Sequence, residues 1–73
     1  MRYKAEVISA RLLGTDMVSC VRNTETNLLI SAPFTTFDED LAWDYARWSA
    51  QVSNEKGEVY FPKRFNGWEK ELL

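Results

Sequence analysis

The densest group of reactive side chains in this sequence is acidic: Asp38, Glu39, Asp40 and Asp44 fall within one short stretch. Carboxylates this close serve two kinds of chemistry, an acid–base pair for glycoside hydrolysis or an oxygen cage for magnesium. A plainer reading places Asp38, Glu39 and Asp40 in the first turn of a helix, where anions oppose the positive end of its dipole. Capping of that turn and a solvated acidic face that includes Asp44 account for all four residues without further assumptions, so no metal and no cofactor is expected. Nucleophilic catalysis lacks its parts. The chain has no histidine, which removes the base of a Ser-His-Asp or Cys-His arrangement and the commonest zinc ligand. Cys20 stands alone between Ser19 and Val21 with no neighbouring base to lower its pKa, and reads as a small core hydrophobe. Gly14, Gly57 and Gly67 are too scattered to cradle a phosphate. No catalytic residue is expected, and the chain reads as a non-enzyme.

Binding chemistry is better represented. Trp43 is the sharpest feature. At about 100° per residue it sits about 160° from the apolar stripe of its helix. Its neighbours on that opposite face are Glu39, Ala46, Arg47 and Ala50. An indole bordered by two alanines, with Asp40, Asp44 and Arg47 as charged surroundings, is the composition of a protein-binding hot spot. Three things can cover it: an external partner, the C-terminal tail through Trp68 or Leu72, or a second copy in a homodimer. Asp38, Asp40 and Asp44 also share one edge and can engage a basic groove on a partner. A second reading rests on the run Tyr60-Phe61-Pro62-Lys63-Arg64-Phe65, which interleaves aromatics with cations as single-strand binders do. Lys63, Arg64 and Phe65 would then contact nucleic acid, with Arg2, Lys4 and Arg11 as further cations. Two adjacent cations release few counterions, which makes this the weaker of the two readings.

The elements that must position these residues follow from periodicity. Thr36 with Glu39 three residues on reads as a capping box. Phe37, Leu41, Tyr45, Trp48 and Val52 then recur at helical spacing, which predicts an amphipathic helix over 37–52. The pattern fades at Ser53-Asn54, and Gly57 lies in the next turn. Upstream, Tyr3, Ala5 and Val7 alternate with Lys4 and Glu6. Ile8, Ala10 and Leu12 take the opposite parity, as in a strand over 3–13 that changes face through a bulge near Ser9. Gly14-Thr15-Asp16 is a turn. Met17 to Arg22 is a second strand, residues 23–27 a polar hairpin loop, and Leu28 to Ala32 a third strand stopped by Pro33. Glu58 to Phe61 reads as a fourth short strand. In the tail, Asn66-Gly67 suits a hairpin turn, or Asn66 caps a last helical turn with Trp68 over Leu72. The order βββαβ, with a short C-terminal helix on the second option, is an α+β domain over 1–73: a small antiparallel sheet of three to four strands with one helix packed on a face.

Composition narrows the class further. In 73 residues, hydrophobic positions are 45% and charged positions 27%, a globular balance. A chain this short buries only about 60% of the surface its unfolded form exposes. Its ten aromatics exceed what one helix and a small sheet hide with ease, which again favours a partner surface. The net charge of -2 argues against nonspecific polyanion binding. Charge is segregated: residues 1–22 carry four bases against two acids, and residues 23–55 carry six acids against Arg47 alone. No stretch approaches the roughly 20 apolar residues of a membrane span. With a single cysteine and no export signal behind Met1, a reducing cytoplasm is the expected compartment.

Short, acidic, aromatic-rich and without catalytic motifs, the profile resembles the small accessory proteins of bacteriophages and mobile elements, anti-CRISPR-type inhibitors among them. The resemblance covers composition and topology and transfers no residue roles. It implies an anti-defence inhibitor or adaptor that binds a larger protein or ribonucleoprotein complex and blocks one of its surfaces. The alternative is a small nucleic-acid-binding regulator working through the C-terminal segment.

Overall fold

Alternation along the first strand sets the fold: Tyr3, Ala5 and Val7 turn to one face, Lys4, Glu6 and Ile8 to the other. The computed structural model describes residues 2–10, 16–33 and 35–63. In them, β1 (Tyr3–Ala10), β2 (Asp16–Asn23) and β3 (Leu29–Ser31) form an antiparallel meander in the order β1-β2-β3. A single helix, α1 (Glu39–Lys56), packs on one side of it, so the expected α+β architecture stands with three strands. The β1–β2 register runs unbroken from Tyr3↔Asn23 to Ala10↔Asp16. The bulge expected near Ser9 is therefore absent from this pairing, and residues 11–13 of the expected strand lie outside the described residues.

The hairpin between β2 and β3 is specified by asparagines. The Asn23 side-chain carbonyl accepts from the N–H groups of Glu25 and Thr26, at 2.9 and 3.2 Å. Asn27 takes the left-handed conformation at φ 64°, which asparagine tolerates better than most residues. Beyond β3, Met17 and Thr36 exchange both backbone hydrogen bonds, at 2.7 and 2.9 Å. This bridge carries the chain back to the sheet before the helix starts.

The helix differs from the sequence expectation in cap, extent and orientation. Its N-cap is Asp38, whose side chain accepts from Asp40 N–H at 2.9 Å and Leu41 N–H at 3.2 Å. Thr36 is not the cap because Asp38 itself is extended, φ -102° and ψ 114°, so the helix starts only at Glu39 and Thr36 Oγ reaches no further than Asp38 N–H, at 3.3 Å. The helix continues past Val52 to Lys56 and ends on Gly57 in the left-handed conformation, φ 80°, a common helix stop.

Its buried residues are Ala42, Tyr45, Ala46, Ser49, Ala50 and Ser53, so the face on the sheet is rotated by roughly 110° from the expected apolar stripe. Of that stripe only Tyr45 is fully buried; Leu41, Trp48 and Val52 lie half-buried on a flank. Phe37 precedes the helix and is 77% exposed. Small side chains let the helix come close to the strands, close enough for the Ser19 hydroxyl to donate to Ala42 O at 2.7 Å. Large side chains at those positions would hold it off.

The core joins Tyr3, Val21 and Ala50, with Ala5, Val59 and Phe61 packed around them. The expected fourth strand is not formed. Residues 58–61 instead run back along the helix, where Tyr60 N–H donates to Ser53 Oγ at 2.8 Å. Phe61 stacks on Tyr45 with centroids 6.5 Å apart, and the Tyr45 hydroxyl donates to the Pro62 carbonyl. On the helix-free face, Arg22 forms an ion pair with Glu6 through two hydrogen bonds. This guanidinium holds the Glu6 carboxyl below the usual carboxylate range. Cys20 is buried and free beside it, and burial pushes its thiol up.

Candidate protein-binding surface

The close helix–sheet contact decides which helical residues face water. With Ala46 and Ala50 turned onto the sheet, they cannot flank Trp43 on an open face, and the apolar shoulder expected there is lost. Trp43 instead lies on the flank of the helix, half-buried. One turn on, the Arg47 guanidinium stands over the indole at 5.4 Å from the ring centroid, within cation–π range. Arg47 Nη1 also donates to Asp44 Oδ1 at 3.3 Å. Both charged side chains are well exposed, at 65% and 60%, so the pair adds well under about 1 kcal/mol to stability. Its effect is to hold the guanidinium over the ring. Glu39 and Asp40 are exposed one turn earlier and complete an acidic rim. The structure thus brings Trp43, Asp44 and Arg47 into contact, with Asp40 and Glu39 near them on the helix.

Beyond Arg47 the surface dips into a shallow groove between α1 and β1, lined by Tyr3, Ala5, Arg47, Ala50, Gln51 and Asn54. Asn54 is a residue that periodicity marked only as the place where the helical pattern fades. Its amide accepts from Tyr3 N–H at 2.9 Å and donates to Tyr3 O at 3.0 Å, so the side chain pairs with the outer edge of β1 like a neighbouring strand. Gly57 was the available signal. A glycine stop there extends the helix by a turn and includes Asn54 in it, on the same flank as Trp43.

The nucleic-acid candidates are only partly in view. Lys63 is exposed; Arg64 and Phe65 lie outside the described residues, as do Trp68 and Leu72 and with them the proposed tail cover over Trp43. Of the aromatics in that run, Phe61 is taken up by Tyr45, while Tyr60 keeps 38% of its surface and has the Lys56 ammonium 4.8 Å from its ring centroid. Among the described residues no group of three or more Cys, Asp or Glu side chains is arranged to hold a metal ion, and no helix is long and apolar enough to cross a membrane. No protein-family model, no curated protein and no solved structure matches this chain.

Proposed function

We propose that this chain is a non-enzymatic protein-binding module that occupies a surface of a larger protein or ribonucleoprotein complex and inhibits it sterically. One observation carries the reading: a half-exposed indole on the flank of a helix pinned to its sheet, with a guanidinium held over it. Tryptophan and arginine are the residues most enriched at binding hot spots. A guanidinium already oriented by Asp44 has less side-chain freedom to lose when a partner docks. The exposed Phe37 at the N-terminal end of the same helix adds a second aromatic contact. The profile resembles the small accessory proteins of bacteriophages and mobile elements, anti-defence inhibitors among them, and a reducing cytoplasm suits the buried free thiol of Cys20.

The test is affinity capture from nuclease-treated host lysate with the wild type, Trp43→Ala and Arg47→Glu in parallel. Arg47 is exposed, so Arg47→Glu should leave the thermal midpoint within about 2 °C while abolishing capture of a stoichiometric partner. Trp43→Ala should cost about 2 kcal/mol or more of binding energy. Identical capture by all three proteins overturns the assignment.

A further inference from the structure

The backbone hydrogen bonds show which groups of β1 face outward. Asn23 N–H donates to Leu28 O and Ala32 N–H to Ser19 O, while Thr24 N–H donates to Arg2 O. Bonding direction alternates along an antiparallel strand. Residues 19, 21 and 23 of β2 therefore bond β3, and residues 18, 20 and 22 bond β1. Across the register these meet Ile8, Glu6 and Lys4. Tyr3, Ala5, Val7 and Ser9 consequently turn their N–H and C=O groups to the outer edge of the sheet. Asn54 closes that edge at Tyr3. Among the described residues nothing pairs with the outward groups of Ala5, Val7 and Ser9. The opposite edge is β3, only three residues long. Short edge strands are a standard protection against edge pairing, and a long open one invites it.

We propose that β1 pairs with β1 of a second copy of this chain, antiparallel across a two-fold axis at Val7, to give one six-stranded sheet. The sequence of the strand selects both the occupant and the register. Centred on Val7, the axis sets Val7 against Val7 of the second copy and Ala5 against Ser9, so every outward group left open finds a partner. On the helix-free face the same register sets Lys4 against Ala10 and Glu6 against Ile8, and no like charges meet. An axis at Ala5 would require Tyr3 to give up Asn54. The register between these two would place Glu6 opposite Glu6 of the second copy. Ile8, 42% exposed in the single chain, is partly covered by this pairing. A two-fold axis makes the contact self-complementary and closed, so the sheet does not grow into a fibre.

The experiment is analytical ultracentrifugation over a concentration series, with far-UV circular dichroism on each variant. The wild type should sediment at twice the chain mass of 8.5 kDa. Val7→Pro removes an outward N–H and no bond to β2; it should sediment as a single chain with an unchanged spectrum. Ile8→Glu, which faces Glu6 across the axis, should weaken association by about five- to tenfold, and Ile8→Lys should strengthen it. A wild type that is a single chain at every concentration overturns the proposal, as does a folded Val7→Pro that still dimerises. Should Val7→Pro fail to fold, equal association by the two Ile8 variants overturns it.

Discussion

At the scale of single residues, Tyr45 shows how burial converts a side chain into a pH-dependent element of stability. Its ring stacks on Phe61 and meets the Trp48 ring edge-on at 6.1 Å, while its hydroxyl donates to the Pro62 carbonyl. Burial pushes the phenol up to about 12, against about 10 for a tyrosine in an unfolded chain. The folded state therefore holds this proton more tightly than the unfolded state. The resulting stability is intact below about pH 10 and lost as pH rises towards about 12. Tyr45→Phe should cost about 1–2 kcal/mol at neutral pH, because the Pro62 carbonyl loses its donor, and it should flatten the alkaline fall. Urea denaturation at a series of alkaline pH values checks both. The apolar spacing already put Tyr45 in the core. Its hydroxyl partner was not legible, because Pro62 lies seventeen positions away, where it read only as the stop of an expected strand over 58–61.

At the scale of elements, the helix was legible in existence and not in detail. The acidic first turn and the repeat of apolar residues announced it, but the fading pattern placed its end at Val52, a turn short of the stop at Gly57. The cap was misassigned because Thr36 and Asp38 both have capping side chains, and only the extended backbone at Asp38, which starts the helix at Glu39, decides between them. Asp38→Ala should therefore destabilise the protein by about 1 kcal/mol, and Asp38→Asn much less, since asparagine keeps the accepting oxygen. Thermal unfolding followed at the helix signal measures the difference.

At the scale of the whole molecule, the helix meets the sheet through Ala42, Ala46, Ser49, Ala50 and Ser53, with hydrogen bonds at both ends of the contact. Ser19 ties the sheet to the first half of the helix and Asn54 ties the last turn to β1. This arrangement predicts the reverse of what the apolar stripe suggests. Ala46→Leu should cost about 1–3 kcal/mol by forcing the layers apart. Phe37→Ser, at a 77% exposed position, should change stability by no more than about 0.5 kcal/mol. Denaturant midpoints of the two variants, compared with the wild type, read the orientation of the helix directly.

Local chemistry determined the elements of this protein: alternation made the strands, asparagines and glycine the turns, and acidic residues with apolar spacing the helix. Net charge and the missing histidine limited the chemistry available to it. The tertiary structure alone decided which face of the helix is buried. That choice rests on how closely two layers approach, a balance between small side chains at the contact and large ones draped around it. From this choice follow the flanking position of Trp43, the burial of Ala46 and Ala50, and the reach of Asn54 to the edge of β1. Hydrophobic spacing records which residues are apolar, but not how near their neighbours can come, and that nearness shapes both candidate surfaces.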